Sequence, residues 1–99
     1  MCEVYHAVNP NFGMMDRPEP KWPRDFALVA KIKDESTIEE TLKRAFNLTT
    51  TYADDWWDNK KIEIFGKPSR SSNVGDVVVV SDVPFICTMN NGWQEILGG

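Results

Sequence analysis

Four consecutive valines, Val77-Val78-Val79-Val80, constrain this chain more than any other stretch. Successive side chains of a strand point to opposite faces, so the run places branched apolar groups on both sides of a sheet. β-Branching also favours strand over helix. Residues 74–81 are therefore expected to form a central strand that needs a cover on each face. The chain has 99 residues, which is the size of one small domain, and we read 1–99 as a single unit.

The other elements follow from periodicity. Residues 2–8 alternate, with Cys2, Val4 and His6 on one face and Glu3, Tyr5 and Ala7 on the other, which predicts a first strand. Four of the six prolines fall in 10–24, and a segment so interrupted is neither helix nor central strand. Phe12, Met14, Met15 and Trp22 make this arm too apolar for a free linker, so it is expected to pack on the domain or on a partner. Residues 26–33 alternate again, Phe26, Leu28, Ala30 and Ile32 against Ala27, Val29, Lys31 and Lys33. Ser36-Thr37-Ile38-Glu39 has the form of a capping box, with the Ser36 hydroxyl as N-cap and Glu39 reaching back. Ile38, Leu42, Ala45 and Phe46 follow at helical spacing and predict one principal helix over about 37–47. Further strands are expected at 61–66, 74–81 and 84–90, with Ser81-Asp82-Val83-Pro84 closing a hairpin and a short last element at 93–97. The fold class is α+β, a mainly antiparallel sheet in the order β-β-α-β-β-β. One short helix covers one sheet face. The arm, the loop holding Trp56 and Trp57, or a second chain must cover the other.

Charge and cysteine usage exclude several functions. The net charge is −4 and no basic stripe is visible, which argues against binding phosphate backbones. The acidic excess is also too small and too mixed with Lys and Arg to imitate DNA. Cys2 and Cys87 lie in no Cys-x-x-Cys or Cys/His cluster, so zinc binding has no motif behind it. Cys87, within Phe85-Ile86-Cys87-Thr88-Met89, reads as a buried thiol acting as a small hydrophobe. No apolar run reaches the ~18 residues of a membrane span, and the first residues lack signal-peptide character. A cytoplasmic protein with reduced thiols and no membrane partner is the expectation.

Catalytic constellations are thin. His6 is the sole histidine, and it reads as a satisfied or exposed strand residue. Asp54, Asp55 and Asp58 lack the register of a calcium loop and read as solvated carboxylates. No phosphate-binding Gly loop and no cofactor motif occurs. The aromatic residues are more informative. Trp56 and Trp57 are adjacent and point in different directions, so both rarely enter one core, and exposed Trp is enriched at protein–protein hot spots. Trp56, Trp57, Tyr52, Trp22 and Phe12 are the candidate partner-binding residues, with burial over the second sheet face as the competing role for Trp22 and Trp57.

The segment Pro68-Ser69-Arg70-Ser71-Ser72-Asn73-Val74-Gly75-Asp76-Val77 resembles the R-S-x-S-V-G-D-V pattern of small YodL-like proteins and related proteins of phages, plasmids and other mobile elements. Asn73 stands where that pattern has Ser, Leu or Met. Asn91-Gly92-Trp93-Gln94-Glu95-Ile96 is similar to the family's closing G-W, and Phe46-Asn47 and the aromatic stretch 52–59 also resemble it. The likeness covers about 42–96. It implies a mobile-element origin and brings no assigned chemistry. Read physically, the signature is structural. Ser71, Ser72 and Asp76 are placed to satisfy loop amides, Arg70 to pair with Asp76 or a neighbouring carboxylate, Gly75 to allow a bulge or close backbone approach, and Gly92 to fold Trp93 back on the valine strand, with a ligand site as the competing role.

The resulting expectation is a non-catalytic phage-type accessory protein that binds and modulates a host protein, with anti-defence, metabolic and growth effects all open. A nucleic-acid-binding module and a small metal-dependent enzyme using Asp54, Asp55 and Asp58 are the alternatives. Self-association into a homodimer through the uncovered sheet face competes for the same aromatic surplus.

Overall fold

The computed structural model describes residues 2–9, 20–33, 37–49, 62–66, 72–88 and 92–96. Among these residues six strands and one helix succeed one another as β1 (Cys2–Ala7), β2 (Phe26–Ile32), α1 (Ile38–Leu48), β3 (Glu63–Ile64), β4 (Val77–Val80), β5 (Val83–Thr88) and β6 (Gly92–Glu95). They form one antiparallel sheet in the order β3-β2-β1-β4-β5-β6. The architecture is the expected α+β domain. The last element is a sixth strand, and β3 is shorter than the periodicity of 61–66 implied.

The valine run lies at the middle of the sheet, between β1 and β5. Pairing of Val4 with Val78 and of Tyr5 with Val77 sorts its side chains. Val78 and Val80 join Cys2, Val4, Ala30, Ile32, Leu42 and Ala45 in the core beneath α1. Val77 points to the opposite face and is fully buried there too. Both faces of β4 are therefore covered at its start. Each fully buried valine contributes about 1.5–3 kcal/mol, so Val77, Val78 and Val80 are a large part of what holds the sheet.

Two local expectations need correction. The helix is capped by Thr37, one residue later than Ser36: Thr37 Oγ1 accepts the Glu40 amide at 3.1 Å, with Thr37 in extended backbone. Thr37 and Glu40 have the same three-residue spacing as Ser36 and Glu39, so the N-cap bond of the motif forms one residue later. Ser36 lies outside the described residues. The second correction concerns β2, where strict alternation fails. Val4 pairs with Ala30 but Tyr5 pairs with Leu28, so Val29 is an extra residue in the ladder. A bulge of this kind shifts the phase of the strand. Val29, Ala30 and Ile32 enter the core under the helix, while the pairing places Leu28 on the face of Tyr5 and Phe26 on that of Ala7.

Turn geometry completes the fold. Ser81 and Asp82 both have positive φ, 52° and 65°, in the two-residue link between Val80 and Val83. This is the pattern of a type I′ hairpin turn, whose twist matches that of the paired strands. Gly75 has φ +93° where the chain enters β4, a conformation that a side chain rarely adopts.

Candidate functional site

Two groupings stand out, one buried and polar, the other aromatic and half-exposed. The first is built on the signature segment. Asp76 ends the turn before β4, and its carboxylate accepts the Ala7 amide at 3.0 Å and the Asn73 amide at 2.7 Å. It thereby fastens the loop to the end of β1. Ser72 lies beside it, with Oγ 2.8 Å from His6 Nε2 and 2.6 Å from Thr49 Oγ1. Thr49, at the C-cap of α1, also reaches back to the Ala45 carbonyl at 2.8 Å. His6, Thr49, Ser72 and Asp76 are all buried. The sequence reading placed Ser72 on loop amides. Its hydroxyl instead joins two side chains, because the β1–β4 pairing brings His6 alongside the loop. Asp76 does take a loop amide, as expected.

Residue types alone would let His6, Ser72 and Asp76 pass for a hydrolytic triad. The geometry differs from one. His6 faces Asp76 Oδ2 through Nε2 at 3.9 Å, the same nitrogen that meets Ser72. A triad requires the acid on the other ring nitrogen, where it orients the base. The arrangement can brace backbone and lower the cost of burying polar groups.

Cys87 pairs with Trp93 across β5 and β6 and is half-buried, so it is less enclosed than the sequence suggested. Burial and then the Asp76 carboxylate push its thiol above the ordinary value. Trp93 sits edge-on to Phe46 of α1, with ring centroids 5.7 Å apart. Gly92, with φ +72°, begins β6, so Trp93 folds onto the helix side of the sheet, one strand removed from the valines.

The second grouping occupies the sheet face opposite α1. Trp22 packs edge-on to Tyr5 at 4.9 Å and to Phe26 at 5.4 Å. The turn that presents it is closed by Asp25, whose carboxylate accepts the Lys21 amide at 2.8 Å and whose own amide donates to the Lys21 carbonyl at 2.9 Å. The Lys21 amide, then Arg24, holds the Asp25 carboxyl below the usual range. Trp22, Tyr5 and Phe26 are each half-buried. Beside them Lys31 Nζ lies 3.9 Å from Glu3 Oε2 and 5.3 Å from the centre of the Phe65 ring. Sequence reasoning singled out Trp22 but missed Tyr5 and Phe26, because the Val29 bulge decides which face Phe26 occupies.

Phe12, Tyr52, Trp56 and Trp57 lie outside the described residues, as do Asp54, Asp55, Asp58, Arg70 and Ser71. Among the described residues no group of three or more His, Cys, Asp or Glu is arranged to hold a metal ion, and no helix is long and apolar enough to cross a membrane. An open concavity of about 410 Å³ runs along α1, lined by Glu40, Lys43, Arg44, Asn47 and Leu48. Comparison with known proteins finds no matching family model, no matching characterised protein and no matching solved structure.

Proposed function

We propose that this protein is a non-catalytic binding module, a mobile-element accessory factor that docks on a host protein through the sheet face opposite α1. The observation that carries the reading is the cluster of Trp22, Tyr5 and Phe26, half-exposed on that face. Aromatic side chains held rigid by mutual packing offer large contact area at little further entropic cost. The adjoining Glu3–Lys31 pair supplies the polar margin that surrounds an apolar centre in protein interfaces. The buried polar grouping supports the non-catalytic part of the reading, since its side chains brace the fold. Resemblance of the signature segment to mobile-element proteins supports the origin.

The test is affinity capture from nuclease-treated bacterial lysate, comparing the native chain with Trp22→Ala, both checked by circular dichroism. The reading expects one protein retained by the native chain and lost with Trp22→Ala. Capture that disappears on nuclease treatment would assign a nucleic-acid partner instead. A stable dimer in light scattering, with nothing captured, would assign the aromatic face to self-association.

A further inference from the structure

The polarity of the hydrogen bonds around Ser72 can be worked out from the end of the chain. A carbonyl oxygen cannot donate, so the 2.8 Å contact from Thr49 Oγ1 to the Ala45 carbonyl commits the Thr49 proton to that carbonyl. Thr49 Oγ1 is then an acceptor toward Ser72, and their 2.6 Å contact takes the Ser72 proton. Ser72 has no second proton, so the 2.8 Å contact with His6 must be donated by the ring nitrogen.

We propose that His6, Ser72 and Thr49 form a directional latch, in which Nε2–H donates to Ser72, Ser72 to Thr49 and Thr49 to the helix carbonyl. The latch holds His6 with its proton on Nε2 and joins β1, the end of α1 and residues 72–76 into one unit. Backbone reinforces it, because the Ser72 amide donates to the Thr49 carbonyl at 2.8 Å. Residues 23 positions apart are thus tied twice. The polarity also settles what His6 can do for Ser72. A general base must accept the hydroxyl proton, whereas here the ring donates to that hydroxyl. The serine is braced by the histidine and is not activated by it. Because each proton is committed by the next link, the members act together.

Long-range proton–nitrogen correlation of the His6 ring in the unaltered protein tests the polarity. The latch predicts a proton on Nε2, and a neutral ring protonated on Nδ1 alone would overturn it. Amide exchange at Ser72 tests the coupling. His6→Gln places an amide donor near the Nε2 position and is expected to keep Ser72 exchange within about twofold of native, whereas His6→Leu and Thr49→Val accelerate it about tenfold, roughly the worth of one hydrogen bond. Equal acceleration by Gln and Leu overturns the latch. The ring measurement decides the polarity even where a variant fails to fold.

Discussion

His6 and Ser72, 66 positions apart in the sequence, meet at 2.8 Å in the interior. Both are buried, so a group that loses this contact is left out of bulk water. Ser72→Ala removes the acceptor of the His6 N–H and the donor to Thr49. Leaving a buried donor unsatisfied costs about 1–3 kcal/mol. Urea denaturation is expected to show a lower midpoint by that amount, with the slope unchanged.

Asp76 is the more demanding position. Its two oxygens accept two different backbone amides, Ala7 and Asn73. Asp76→Asn keeps the shape but turns an NH2 toward one of those donors. The substitution is expected to destabilise by about 2–3 kcal/mol, the cost of unsatisfying a buried group and losing a charge-assisted bond. Chemical denaturation beside Glu95→Gln, an exposed control, separates this effect from simple loss of charge.

The Ser81–Asp82 turn is strained, since both residues have positive φ. Glycine adopts that region without steric penalty. Asp82→Gly is therefore expected to stabilise by about 0.5–1 kcal/mol, read as a higher thermal midpoint. A lower midpoint would mean that the turn is held by something other than its backbone preference.

Alkaline pH should weaken the fold. Burial and the Asp76 carboxylate raise the Cys87 thiol, and burial and then Glu3 raise the Tyr5 phenol. A folded value above the unfolded one means that the native state holds its proton longer. The associated stability is complete below the ordinary values of 9.0 and 10.0 and is lost as pH rises through the folded values. Melting temperature is expected to fall above pH 9, and Cys87→Ser should remove the lower part of that fall. Asp25 works in the opposite direction: its lowered carboxyl contributes above the ordinary value of 3.8, and that contribution is lost as pH falls through the folded value.

Much of the fold was legible because its signals are local. Four valines in a row mark a strand with apolar groups on both faces, and the apolar spacing from Ile38 to Phe46 marks α1. What the sequence hid depends on distant pairing. The Val29 bulge arises only when β2 is laid against β1, and it reverses the face of Phe26 and Leu28 relative to simple alternation. The contact of His6 with Ser72 likewise needs β1 beside β4, a neighbour relation that no spacing in either segment encodes. Thr49 carries no signal of its own. Trp22 was legible as an unusual apolar residue in a Pro-rich arm, but its partner Phe26 was not, because the bulge at Val29 sets the face of Phe26.

The central claim is that the sheet face opposite α1 is the docking surface. Methyl-labelled protein titrated with the partner it captures tests this most directly. Leu28, Val79 and Ile86 lie on that face by register with Tyr5, Glu3 and Val77, whereas Val4, Val78 and Leu42 lie beneath the helix. The account predicts that partner binding shifts the methyl resonances of Leu28, Val79 and Ile86 and leaves those of Val4, Val78 and Leu42 in place. Shifts confined to the helix-side methyls would contradict it.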